Sequence, residues 1–492
     1  MFVLTDTATS LPHMTTPEPP DPRPTAPDRA DMLALFARVL GDAWESFDAP
    51  RLAEPVLPEA LVERFARPLP AAGSSPSAAL TDAALTLNAS VSPSRPLFAA
   101  YIGSTGLEAG VLGAAMATAW DVNMAASAGA VELLERQTLR WMAEFIGFPM
   151  ATGIFTSGGM TSNLTALLAA RERALPGSRH TGIVPGSAAV YVSAEAHHSV
   201  VRGVEVAGLG SNSIRTIPID GDRRMRPGAL ARQVADDVAS GIAPVAVVAT
   251  AGTTLTGAVD PLADIADVCR DHDVWMHVDG AYGAPAAGSA SRGHLFTGLD
   301  RADSVTIDAH KWMGVQKSCS LLLTARPGAL TAAFGHEESY LLHEPDTSHH
   351  VDTTLEYSRP VRSLKLWTAL RIHGADQFRE WIDHTVALTE VLVDLVEADD
   401  RFELLHRPQL TTVCVRDVPD EPIADLDRHN ADLATAITAE GRAYVAAAVV
   451  DGQVCLRLTL VNFRTTADDV RTLVQAIREC SRDLTAHRAR SR

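Results

Sequence analysis

Several classes of protein are excluded by what the chain lacks. No uninterrupted apolar run of about 18 residues occurs, the minimum for a membrane-spanning helix. Cysteine is scarce: Cys269, Cys319, Cys414, Cys455 and Cys480 are widely spread, odd in number and free of any CxxC pair. That pattern argues against a disulfide framework and a structural zinc site, and it fits a reducing cytoplasm. Positive charge is in deficit, with 42 Lys and Arg against 60 Asp and Glu and a formal net charge of −18. Such a balance disfavours non-specific binding to nucleic acid or anionic membrane. Residues 1–30 lack the basic start and apolar middle of a signal peptide. Their Pro, Thr and Asp content predicts a disordered lead, within which Met14 is an alternative start. No internal repeat of 20–50 residues is present.

What the chain does have is core-forming material: 46% of its 492 residues are hydrophobic, enough for more than one folding unit. Residues 31–122 read as an N-terminal helical segment, with helices over 31–47 and 107–120, and a further helix follows at 130–148. From about 150, short apolar runs at 153–157, 188–196, 244–252, 274–283, 303–308 and 319–325 alternate with helical stretches such as 161–175 and 261–273. That alternation predicts a mostly parallel α/β sheet covered on both faces, in a large domain over 123–375. Residues 376–492 read as a smaller α/β domain. It comprises a long helix near 377–398, short strands at 402–406 and 411–416, a helix near 424–440, a hairpin turning at Asp451-Gly452, and a last helix capped by Thr465 or Thr466.

Two strand ends carry the chemistry. "HVDGAYG" puts Asp279 at one and "DAHK" puts Lys311 at another, and ligands of parallel sheets bind outside the carboxyl ends of strands. A carboxylate and an amine there form either a plain ion pair or two grips on one cofactor. Pyridoxal phosphate asks for the second arrangement: a lysine to form an imine and an acid to keep the pyridine nitrogen protonated. "FTSGGMTSNL" supplies a strand, Gly158-Gly159 and a helix start, whose free amides suit a phosphate. Each piece alone has a bland alternative. A His-Lys pair is commonly a solvated strand end, an Asp a turn cap, a Gly-Gly turn a simple connection. The pair His349-His350 has no acidic or cysteine partner at metal-ligand spacing, which rejects a metal site. Joint occurrence, in order, at the strand ends of one unit is what favours the cofactor.

The sequence resembles the group II pyridoxal-phosphate-dependent amino-acid decarboxylases, among them aromatic-L-amino-acid, glutamate and diaminobutyrate decarboxylases. The marks span residues 95–475: "RPLFAAYIGS", "FTSGGMTSNLTALLAAR", "SAEAHHSV", "ATAGTTLTGAVDPL", "HVDGAYG", "DAHKWMGV", "SRPVRSLKLWTALRIHG" and "LRLTLVNFRTTADDV". The resemblance implies the fold type I, aspartate aminotransferase-like architecture, and a homodimer formed through the N-terminal segment with active sites at the subunit boundary. It makes Lys311 the Schiff-base lysine, Asp279 the partner of the ring nitrogen and His197 the stacking imidazole. Thr250 and Asp308 lie near the cofactor, Gly158, Gly159 and Ser162 in the phosphate loop, and His310 beside the lysine. Arg457 holds the substrate carboxylate, with Tyr101 and Met124 on the substrate side. The expected reaction is decarboxylation of an L-amino acid, aliphatic or aromatic in its side chain, to its amine.

The chain departs from the family on one loop. The family's proton-donating tyrosine, counted back from "SRP", falls on His350. Either His350 delivers the proton, or the carbanion is diverted to oxygen and an aldehyde is released with peroxide. Met124 stands where aromatic-specific members carry a tryptophan, and the glutamate-specific pattern is absent. A cofactor-binding protein without catalysis is the third reading, set aside because Lys311, Asp279, His197 and Arg457 occur together.

Overall fold

The computed structural model describes residues 26–48, 57–103, 105–125, 128–336, 350–420 and 423–490. Met14, most of the expected disordered lead and His349 therefore lie outside the described residues. Residues 26–30 of that lead open the helix Ala26–Phe47.

Seven strands form the central sheet: β1 (Thr152–Thr156), β2 (Ala188–Ser193), β3 (Ile214–Ile217), β4 (Ala243–Thr250), β5 (Trp275–Asp279), β6 (Ser304–Asp308) and β7 (Ser320–Thr324). Their order is β1-β7-β6-β5-β4-β2-β3, with only β7 antiparallel to its neighbours. β2, β4, β5 and β6 are buried along nearly their whole length, as strands covered on both faces must be. β3 was not anticipated, because an edge strand of four residues reading Ile-Arg-Thr-Ile carries no continuous apolar run. The helices Glu59–Phe65, Pro76–Asn88, His198–Val206 and Pro227–Ala239 were likewise not anticipated.

The C-terminal unit has a second sheet, order β10-β11-β9-β8, from β8 (Phe402–Leu404), β9 (Thr412–Asp417), β10 (Ala446–Val450) and β11 (Gln453–Thr459). Asp451 and Gly452 both take positive φ, as a tight hairpin between β10 and β11 requires. Thr466 caps the last helix, its hydroxyl accepting from Asp469 N while Asp469 accepts from Thr466 N. The long helix begins earlier than the sequence suggested. It runs Ser363–Glu397 and is broken at Gly374, whose φ of 76° and ψ of 161° are non-helical and suit a residue without Cβ. It serves two cores, and the change comes after Val386 rather than at the break, since Phe378, Ile382 and Val386 still pack in the large one. Leu366 and Leu370 pack under the large sheet, and Leu388 and Leu392 in the small unit. Residues 97–99 also join the small unit, through Ala99 N to Tyr444 O and Thr459 N to Ala99 O, both 2.8 Å.

Candidate active site

All the chemistry gathers at one edge of the central sheet, where β4, β5 and β6 end in Thr250, Asp279 and Asp308 and the turn after β1 gives Gly158-Gly159. Lys311 follows β6 by three residues. Lys311, Asp279, Asp308, His197, Thr250 and Gly159 line a single cavity, with Met160, Asn163, Ser199 and Tyr282 completing much of its wall. Lys311 Nζ lies 3.0 Å from Asp308 Oδ2, so its protein counter-ion is Asp308 and not Asp279. Asp308 is itself held by Ser320 Oγ, which donates to Oδ1 at 2.5 Å. His310 does not line the cavity; its Nδ1 lies 3.2 Å from Cys319 O and its Nε2 3.8 Å from Asp308 Oδ2.

Asp279 is oriented from two sides. Ala281 N donates to Oδ1 at 3.2 Å and Asn163 Nδ2 to Oδ2 at 2.9 Å. Asn163 also reaches Ser199 Oγ (3.2 Å) and His277 Nε2 (3.0 Å). His197 is fixed at its Nδ1 by Ser199 Oγ at 2.8 Å and Ser199 N at 3.2 Å, an arrangement that also caps the helix His198–Val206. Burial, partly opposed by Asp279, holds the His197 imidazole below its ordinary value. Burial does the same to His310. His277, fully enclosed, is pushed down to about 4. Asp260 is pushed up to about 6 by burial while it accepts from Met225 N and Thr250 N, both at 2.7 Å, and so anchors the end of β4.

Other expected site residues sit differently. Ser162 Oγ is buried against Thr156 Oγ1 at 2.7 Å and does not line the cavity. Arg457 is buried in β11, donating through Nε to Thr254 O (2.8 Å) and through Nη1 to Ala100 O (3.0 Å). Thr254 lines the cavity, which puts the guanidinium next to its wall. Tyr101 is half exposed, in an aromatic cluster with Phe98 and Tyr444. Met124 is fully buried, its N–H bonded to Arg359 O. His350 opens a short 3-10 turn and its Nδ1 is 3.4 Å from Arg359 Nη2, the arginine being paired with buried Glu135. Neither Met124, Tyr101 nor His350 lines the cavity of its own chain, because each is held by a different part of the structure.

Asn163, Ser199 and His277 were missed, as were Met160, Thr254 and Tyr282 of the cavity wall. A signal existed for one of them. His277 and Asp279 are two apart on a strand and so share a face.

This donor set suits pyridoxal phosphate. It offers an amine, an acid and an imidazole around one space, and Thr250 Oγ1 is a buried hydroxyl with no protein partner there. A side chain at Gly159 would place Cβ 2.8 Å from Asp308 Oδ2, so only glycine lets the helix Gly159–Ala174 start this close to the strand ends.

Comparison with known proteins bears this out at the level of family and cofactor. Residues 58–418 match the pyridoxal-dependent decarboxylase conserved domain. The chain is 32% identical over 402 residues to an aromatic-L-amino-acid decarboxylase of Bacillus atrophaeus, covering 79% of this chain and 82% of that one. It is 36% identical over 363 residues to an L-2,4-diaminobutyrate decarboxylase of Rhizobium meliloti, covering 73% and 72%. The crystal structure of Oryza sativa TDC with PLP and tryptamine superposes with a TM-score of 0.87 at 26% identity, over 96% of this chain and 100% of that one. The chain belongs to the pyridoxal-dependent decarboxylase family and is a pyridoxal-phosphate-dependent amino-acid carboxy-lyase.

Proposed function

We propose that the protein decarboxylates an L-amino acid with an aromatic or aliphatic side chain, releasing its amine and CO2, as a homodimer in the reducing cytoplasm. The observation that carries the reading is the pair Lys311 and Asp279, brought to one cavity from adjoining strand ends. The bound cofactor supplies a ring that accepts the electron pair left on the substrate α-carbon as CO2 departs. Lys311, with Asp308 as its counter-ion, would hold the cofactor covalently. With the cofactor bound, Asp279 would hold the ring nitrogen protonated, His197 would stack on the ring, and the first turn of the helix Gly159–Ala174 would take the phosphate. Arg457 holds the substrate carboxylate from the wall at Thr254. Orientation and exclusion of water are the protein's share of the catalysis.

The second reading is release of an aldehyde with consumption of oxygen. It is favoured by the position of His350, which is tied to Arg359 and lies off the cavity of its own chain. If His350 delivers the proton, it must do so across the subunit boundary.

The test begins with borohydride reduction of the protein loaded with pyridoxal phosphate. The chain has three lysines, Lys311, Lys317 and Lys365, and the label is expected on Lys311 alone. A panel of L-amino acids is then assayed for CO2, amine, aldehyde and peroxide. Amine from aromatic or aliphatic substrates supports the first reading, and aldehyde with peroxide as the main products selects the second. A clear preference for glutamate overturns the substrate class, and a Lys311→Ala variant with normal turnover overturns both readings.

A further inference from the structure

We propose that Asn163 is a positioning residue: its amide, locked by His277, fixes Asp279 and ties it through Ser199 to His197. The inference rests on the reading of Asp279 as the partner of the ring nitrogen.

The direction of every hydrogen bond in this buried chain follows from its ends. Trp275 Nε1 can only donate, and it does so to Ser304 Oγ at 2.9 Å. Ser304 Oγ, 2.8 Å from His277 Nδ1, has a second lone pair and could still accept, so the sense of that bond is set from the other end: the Asp279 carboxylate accepts from the Asn163 amide nitrogen, which leaves Asn163 Oδ1 facing His277 Nε2. His277 is enclosed and neutral, so its single proton sits on Nε2 and goes to Asn163 Oδ1 at 3.0 Å. The amide nitrogen is turned towards Asp279 Oδ2 and Ser199 Oγ, and both its protons are used. Ser199 N donates to His197 Nδ1, so that nitrogen carries no proton, Ser199 Oγ can only donate to it, and the His197 proton is on Nε2. Reversing the amide would set NH2 against Nε2–H and oxygen against carboxylate.

The geometry is available because of strand pleat. His277 and Asp279 project from the same face of β5, and one amide on the helix above bridges them. A single locked side chain thus sets the aim of the acid and joins it, through Ser199, to the imidazole whose tautomer the Ser199 N–H fixes.

The test uses apoprotein and two probes: pyridoxal phosphate and its carbocyclic analogue with the ring nitrogen replaced by C–H. Dissociation constants are read from quenching of tryptophan fluorescence. Wild type is expected to prefer pyridoxal phosphate strongly. Asn163→Ala is expected to shrink that preference about tenfold, the scale of one hydrogen bond to a charged group. His277→Phe, which removes the lock while filling the space, is expected to act in the same direction and serves if Asn163→Ala does not fold. Equal losses for both probes in these variants mean a merely structural role and overturn the proposal alone. Absence of any preference in the wild type overturns the reading of Asp279 and the proposal with it.

Discussion

Burial decides protonation around Lys311, and His277 shows how that appears as stability. Its folded value of about 4 lies below the ordinary 6.5, so between those values the unfolded chain binds the extra proton and the folded one does not. Stability from the neutral ring is complete above pH 6.5 and is lost as pH falls towards 4, by about 3 kcal/mol for this fully enclosed group. Asp260, raised to about 6, works in the opposite sense over an overlapping window, losing stability as pH rises through its folded value. The two are separated by comparing wild type with His277→Gln in urea at a series of pH values, since Asp260 is common to both. Wild type is expected to lose roughly 3 kcal/mol more than the variant between pH 6.5 and 4, and parallel curves would sink the idea. At this scale the sequence was legible where function is written in contiguous residues. "DAHK" and "HVDGAYG" each lie at a strand end, so Lys311 and Asp279 could be read directly. The bond from Asn163 to His277 spans 114 residues and depends on how a helix lies over a strand, which no local pattern records.

Two adjacent glycines at the start of the helix Gly159–Ala174 look equivalent in sequence but are not so in the fold. Gly158 has extended backbone, with φ of 179°, and nothing within 4 Å of a Cβ built on it. At Gly159 the same Cβ meets Asp308 Oδ2 at 2.8 Å and Oδ1 at 3.0 Å, the carboxylate that pairs with Lys311. Gly158→Ala is therefore expected to stay within about 0.5 kcal/mol of wild type. Gly159→Ala is expected to cost about 1–3 kcal/mol by overpacking and to weaken pyridoxal phosphate binding, because the helix start or Asp308 must move. Thermal unfolding and cofactor titration of the two variants side by side check this, and equal behaviour would refute it. Element boundaries follow the same logic. Fully buried strands such as β4 and β6 announce themselves as apolar runs. The start of the helix Ser363–Glu397 was hidden by Gly374, a break inside a continuous packed element. The helix His198–Val206 was hidden because its opening residues carry the "HHSV" of the site.

For the whole molecule, the helix Glu108–Trp120 has two apolar faces, of which one is buried and the other exposed among the described residues. Ala109, Gly110 and Gly113 are buried, and Gly113 sits so close to the helix Ser363–Glu397 that a Cβ would meet Leu364 O at 2.6 Å. The other face carries Leu112, Met116 and Trp120 at i, i+4 and i+8, exposed by 46%, 50% and 74%. The helices Glu59–Phe65 and Pro76–Asn88 bury no residue at all within the chain, and leave Val62, Phe65, Leu85 and Leu87 in the open. Apolar surface on this scale asks for a second protein surface, since burying each such side chain is worth about 1.5–3 kcal/mol. The second copy proposed above is an occupant that would also account for His350, which does not line the cavity. Light scattering is expected to give twice the chain mass of 52.3 kDa. Met116→Glu places a charge at the centre of the stripe, and is expected to shift the protein towards monomer and to lose most turnover. Pyridoxal phosphate binding should survive better than turnover, because the cavity wall of Lys311, Asp279 and His197 comes from one chain. A wild type that is monomeric at full activity, or a Met116→Glu dimer indistinguishable from it, would remove the N-terminal helices from the interface and leave their apolar faces to be explained by another partner.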